Sequence, residues 1–199
     1  MTDILTRAAN IARLALLFSR VERVTRHEDG VRPETDADHT VMLALVACDL
    51  APIPLDRGRI LEFAVIHDLV EVYAGDVQTL TINAIGRADK EAREHAAFLR
   101  IYEEFGAESW IVRTLGDYEA QIEEEARYVR LMDKVVPKLT HLFNGCVAAR
   151  ALTDHAGFVA SHEAQHRKLT AEYGGDWWAG PVLDLLRDAM TASEAAWKP

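Results

Sequence analysis

Apolar residues in this chain recur at helical spacing almost from end to end, and no stretch alternates as a half-buried strand would. That regularity confines the chain to a bundle of packed helices, an all-α single domain spanning 1–199. Leu5, Ala8, Ile11, Ala12, Ala15, Leu16 and Ser19 form one face of a first helix. HEDGVRPETD (27–36) reads as a polar loop, after which Thr35 or Asp36 can cap a second helix through VMLALVACDL. LDRGRILEFAVIHDLVEVYA (55–74) reads as one continuous third helix, with Gly75 placed to end it. A loop (DVQTLTINAIG), a charged helix closed by Gly106 and a short helical stretch follow. The next helix is long, and Pro137 should kink it one turn after Asp133. Further helices complete the C-terminal segment, 146–199.

Within this frame the dipeptide His67-Asp68 stands out by its company. His39 precedes it, among the polar residues of ETDADHT, and Asp133 follows it in the amphipathic segment RYVRLMDKVVPKL. Two imidazoles and two carboxylates can hold one divalent transition ion and leave positions open for water and substrate. Such an ion can make a hydroxide at neutral pH and polarise a phosphoryl oxygen. His67 alone could be a helix-end histidine favouring the macrodipole; counted with its partners, ligation is the better reading. Asp133 falls between two apolar faces, and a carboxylate buried there needs a cation or a hydrogen-bond partner.

Glu71 lies one turn after His67-Asp68 and points to the same side, where it could relay protons or orient a nucleophilic water. Periodicity alone also allows an exposed helix-terminal glutamate. Asp76 follows Gly75, where a turn could carry it over the site, or it could serve as a turn or cap residue. Arg20, Arg23, Arg26 and Arg32 could clamp a phosphate. Arg20 is favoured because it ends the first apolar face and could point inward. His95 reads as exposed. His141 lies two turns past Asp133, and His162 and His166 share an i,i+4 face with no HExxH pattern.

Composition removes several classes. Lys+Arg is 22 against Asp+Glu 32, a net charge of −10, which argues against a nucleic-acid polymer or a basic membrane patch as partner. No apolar run suffices to span a bilayer, and the N-terminal stretch reads as a helix and not as a signal peptide, so a cytoplasmic protein is expected. Cys48 and Cys146 form no CxxC motif. Trp177-Trp178 reads as a core anchor or a dimer contact.

The order His39, His67-Asp68, Asp133 resembles that of the HD-domain metal-dependent phosphohydrolases. The stretches RPETDADHT, IHDLVEVYAGDV and YEAQIEEEARYVRLMDKVVP, with Arg20 upstream, resemble the 5′-deoxynucleotidases of the YfbR and HD-domain-containing-protein-2 type. By eye the likeness covers residues 1–145. It implies a metal held by His39, His67, Asp68 and Asp133, with Glu71 supporting the catalytic water. It further implies that Asp76 faces sugar or phosphate and that Arg20 binds phosphate. The ion implied is divalent, such as cobalt or manganese, with nickel, zinc, iron and magnesium also compatible. The resemblance also implies a homodimer, and deoxyribonucleoside 5′-monophosphates as the small-molecule nucleotide substrate. Two departures stand out: Asp38 precedes His39 where a glutamate is common, and the stretch after Asp76 lacks proline-rich or basic character. A nucleoside triphosphate hydrolase and a non-enzymatic metal-binding helical module are the competing readings.

Overall fold

The long helix α7 (Glu124–Asn144) organises the molecule, burying Tyr128, Val129, Leu131, Met132, Val135 and Val136 along one stripe. Helices α2 (Asp36–Asp49), α3 (Arg57–Ile66), α6 (Trp110–Ala120) and α10 (Ala179–Ala195) pack against it. In this computed structural model residues 3–80 and 82–197 are described. The remaining helices are α1 (Asp3–Phe18), α4 (Glu71–Ala74), α5 (Ala84–Phe105), α8 (Val147–Arg150) and α9 (His155–Tyr173). Helix α5 ends at Gly106, whose φ of 79° suits a residue without a Cβ. The all-α reading holds. None of the described helices is long and apolar enough to cross a membrane.

Four local expectations are corrected. First, the segment read as a polar loop contributes to a small antiparallel ribbon: β1 (Glu22–Arg26) pairs with β2 (Pro33–Thr35). These strands are short and mostly polar, so they carry little hydrophobic alternation to read. Second, the helix expected to run through 55–74 breaks. Helix α3 stops at Ile66, and the next four residues form tight turns before α4. Their amides reach back three residues: Leu69 N–H to Ile66 (3.0 Å) and Glu71 N–H to Asp68 (2.8 Å). Third, the anticipated face of α1 points to solvent, with Leu5 53 % and Leu16 61 % exposed. Leu14 and Phe18 are the residues of α1 that are buried. Fourth, Arg20 is exposed, for it lies in the turn after α1 rather than on a docked face.

Helix α7 continues through Pro137, which has no N–H to give to the Asp133 carbonyl one turn earlier. Trp178 is a core anchor against Tyr128 and Tyr173, whereas Trp177 is exposed. Cys146 is buried and Cys48 half-buried.

Candidate active site

Four elements meet where the breaks and caps are concentrated. Thr35 caps α2 with a full capping box: its hydroxyl accepts from the Asp38 N–H, and the Asp38 carboxylate accepts from the Thr35 N–H. Capping fixes the first turn of α2, and His39, one turn in, faces the interior at 0 % exposure. The break after α3 does the corresponding work for His67. Its Nδ1–H donates to the Ala64 carbonyl at 2.8 Å, which turns Nε2 toward the centre of the cluster. That Nε2 is buried and has no hydrogen-bond partner.

Asp133 reaches in from α7. Its Oδ1 accepts from His39 Nε2 at 2.8 Å and lies 3.7 Å from His67 Nε2. Its Oδ2 takes the Lys134 ammonium at 2.5 Å. Asp68 Oδ2 stands 3.0 Å from His67 Nε2. Donor atoms of His39, His67, Asp68 and Asp133 all lie within 4.8 Å of one another. The four residues predicted as one set are therefore one cluster, drawn from α2, the α3–α4 break and α7.

Glu34 backs this set, with Oε1 3.2 Å from the outer nitrogen of His39, in the manner of carboxylates that orient metal-ligating imidazoles. Glu71, the first residue of α4, is buried on the same side. It lies between two cations, Arg23 (3.8 Å) and Lys90 of α5 (3.5 Å). Asp76 is carried back by Gly75 (φ 73°), and its Oδ2 accepts from the Val24 N–H of β1 at 3.3 Å.

Arg23 is the arginine that the structure brings to the cluster. The β1 strand turns it inward, and its Nη1 donates to Asp36 Oδ1 (2.9 Å) and Asp68 Oδ2 (2.7 Å). The polar stretch ERVTR gives little signal for it: only once the segment is a strand do Arg23 and Thr25 share a face. Asp36 could not be foreseen as a site residue, since it sits where capping aspartates are common; it is fully buried. Lys90 is one of many charges on α5, and only the packing of α4 on α5 singles it out.

The electrostatics are those of an acid-rich pocket. Burial would lower the basicity of His67, but Asp68 and Asp133 override it and hold the ring up at about 10. Burial would raise Asp133, but Lys134, His39 and His67 keep it well below the usual carboxylate range. Asp68 is likewise held down against burial by His67 and Arg23. Glu71 goes the other way: burial, then the charges of Asp68 and Asp36, push it up to about 10 despite Arg23. Asp36 rises to about 6 for the same reasons, burial first and then Asp68. One pocket thus holds ionised and neutral carboxyls side by side, an arrangement that favours a divalent cation and acid–base work.

An HD domain profile matches residues 18–172, more than half of the chain. The chain belongs to the HD domain family. The match passes well beyond residue 145, into α9. Among curated proteins, it is 26 % identical over 132 residues to the 5′-deoxynucleotidase HDDC2 of Danio rerio, covering 63 % of this chain and 65 % of that one. The human HDDC2 is 25 % identical over 133 residues, 64 % of each chain. The 5′-deoxynucleotidase YBR242W of Saccharomyces cerevisiae is 27 % identical over 124 residues, 58 % of this chain and 51 % of that one. The aligned region spans slightly less than two thirds of the two HDDC2 proteins and about half of the yeast protein. Among solved structures, the fold is similar to a predicted metal-dependent phosphohydrolase from Magnetospirillum magnetotacticum MS-1. That match has a TM-score of 0.70 and 23 % identity, and covers 98 % of this chain and 96 % of the other.

Proposed function

We propose that this HD-domain protein is a divalent-metal-dependent phosphohydrolase that releases phosphate from deoxyribonucleoside 5′-monophosphates. The observation that carries the reading is the buried, unpartnered Nε2 of His67 facing Asp68 and Asp133, with His39 alongside. Two buried carboxylates facing that nitrogen call for a positive charge at it, a proton in the arrangement described and a divalent ion when one is bound. The donor set of two imidazoles and two carboxylates fits a borderline divalent ion, with cobalt or manganese the first candidates and nickel, zinc, iron or magnesium the others. A bound ion would supply an acidified water as nucleophile and withdraw charge from a phosphoryl oxygen.

The protein's own residues do the rest. Glu34 fixes the His39 ring, and Ala64 fixes that of His67, so that both Nε2 atoms face the centre. Glu71 manages the proton of the attacking water. It is neutral in the arrangement described, and an added positive charge beside it favours the carboxylate form that accepts a proton. Arg23, rather than Arg20, presents the guanidinium that grips phosphate oxygens. Asp76, tied to β1, faces the sugar. Positioning and charge stabilisation supply most of the catalysis, as in phosphoryl transfer generally. We further propose a homodimer formed over the exposed apolar face of α1, where Ile4, Leu5, Ile11 and Leu16 lie open.

The test is a panel of deoxy- and ribonucleoside mono- and triphosphates with cobalt or manganese, reading phosphate, pyrophosphate and triphosphate. Phosphate from deoxy-monophosphates, abolished by chelation, is expected. Triphosphate release would make the protein a triphosphohydrolase, and silence across the panel with metal bound would leave a metal-binding module.

A further inference from the structure

The two oxygens of Asp133 have different partners. Oδ1 accepts from His39 Nε2 at 2.8 Å, inside the fold, whereas Oδ2 accepts from the Lys134 ammonium at 2.5 Å. Consecutive residues of a helix do not face each other, so position on α7 alone would not pair them. The Lys134 stem must bend back to bring its charge to the carboxylate. Its side chain is 40 % exposed, against 13 % for Arg23 and 21 % for Lys90. Arg23 is held by both Asp36 and Asp68, and Lys90 by both Glu71 and Glu94. Among the described residues Lys134 pairs with Asp133 and with no other carboxylate. It is thus the most exposed and the least tied of the cations that touch the pocket. Arg23 meets the set at Asp68 and Lys134 meets it at Asp133, so the two flank it.

We infer that Lys134 is a second phosphate-binding residue of this site: its ammonium, held by Asp133 in the arrangement described, passes to a phosphoryl oxygen of the substrate when a divalent ion draws on Asp133. The inference rests on the reading of the protein as a metal-dependent phosphohydrolase. An ion drawn by Asp133 repels a like charge at Oδ2 and leaves the ammonium short of a partner. A phosphoryl group beside the ion supplies one, and a phosphomonoester brings about two negative charges at neutral pH. Lysine suits the transfer, being a point charge with rotatable donors on a flexible stem, whereas the guanidinium of Arg23 is a planar fork fixed by β1. The alternative is that Lys134 does no more than neutralise and orient Asp133. The two roles differ in sign for metal binding. A cation that competes for Asp133 opposes the ion, and a cation that orients Asp133 assists it.

The test is calorimetric titration of manganese into the apoprotein, and then of inorganic phosphate into manganese-loaded protein freed of excess ion. Lys134→Met should hold manganese at least as tightly as the wild type. It should bind inorganic phosphate about 10-fold more weakly, the scale of one partly exposed charged hydrogen bond, and raise KM for a deoxyribonucleoside 5′-monophosphate by a similar factor. Lys134→Arg should recover most of the phosphate affinity. Lys168→Met, which removes an exposed charge on α9, should match the wild type. Unchanged phosphate affinity in Lys134→Met, with manganese bound normally or more weakly, would overturn the inference and leave the metal site standing. Weaker phosphate binding with an unchanged KM would also overturn it, by assigning Lys134 to the product rather than the substrate. A wild type that binds neither manganese nor phosphate would instead remove the reading of the site, and this inference with it.

Discussion

Two pairs of buried histidines lie along α7, and they have opposite surroundings. His39 and His67, with ring centroids 5.4 Å apart, are ringed by Glu34, Asp68 and Asp133. His141 and His162 flank Phe158 in the C-terminal half, at 5.7 and 4.1 Å from its ring. Burial acts on both pairs, but the neighbours differ in sign. Carboxylates lift His67 to about 10, whereas burial and then Lys138 depress His141 to about 4. His162 is also held low, by burial first, and its Nδ1–H donates to Glu194 at 2.7 Å. Burying imidazoles does not make a metal site. Surplus negative charge around them is what would favour a bound cation, and the second pair, beside Lys138, is a neutral part of the core.

The comparison can be broken most sharply at Asp68. Asp68→Ala should lose bound metal and reduce activity by at least ~10²-fold, the scale on which metal-site changes act. His141→Phe, an equally buried histidine on the other side, should keep both metal content and turnover. Loss of metal in the His141 variant would end the distinction. Glu34→Ala, which frees the outer nitrogen of His39, should weaken metal affinity by about 10–100-fold without unfolding the protein; a titration with manganese reads this. Arg23→Ala should lower kcat/KM by roughly 10²-fold, as for removal of one charged transition-state contact. Arg20→Ala, on the exposed turn, should stay near wild type, and the reverse order would restore Arg20 as the phosphate ligand.

A smaller effect separates the pairs by pH. His141 titrates near 6.5 when unfolded and about 4 when folded. Between those values the unfolded chain binds the extra proton, so stability is full above pH 6.5 and falls as pH drops toward 4. The loss from this residue is at most ~3 kcal/mol, and His141→Phe should flatten that part of the stability curve. Melting curves across this range check the sign. Smallest in energy is the surface of α1: Leu16→Glu should leave the fold and metal intact while shifting the protein from dimer to monomer in light scattering.

The legible parts of the molecule were those where short-range spacing and chemistry coincide. Helical periodicity revealed the bundle, and the order His39, His67-Asp68, Asp133 brought together residues that the fold places within one cluster. The break at His67–Val70 was hidden because an apolar run continues across it; only the turn geometry that aims His67 shows why it is there. Arg20 is the sequence's candidate rather than Arg23 because helical spacing runs on past Phe18, where the chain in fact turns and enters a strand. On α1 the apolar face was visible, but periodicity does not say which side docks, and the narrower Leu14–Phe18 stripe does. Asp36 and Lys90 depend on contacts distant in sequence, to Arg23 and Glu71, which local patterns do not encode.

The most direct measurement is the metal content of purified protein after saturation with manganese or cobalt and removal of free ion, for wild type, Asp68→Ala and His141→Phe side by side. The account predicts one tightly held ion per chain in the wild type and in His141→Phe, and none in Asp68→Ala. Equal metal in all three, or none in any, would contradict it.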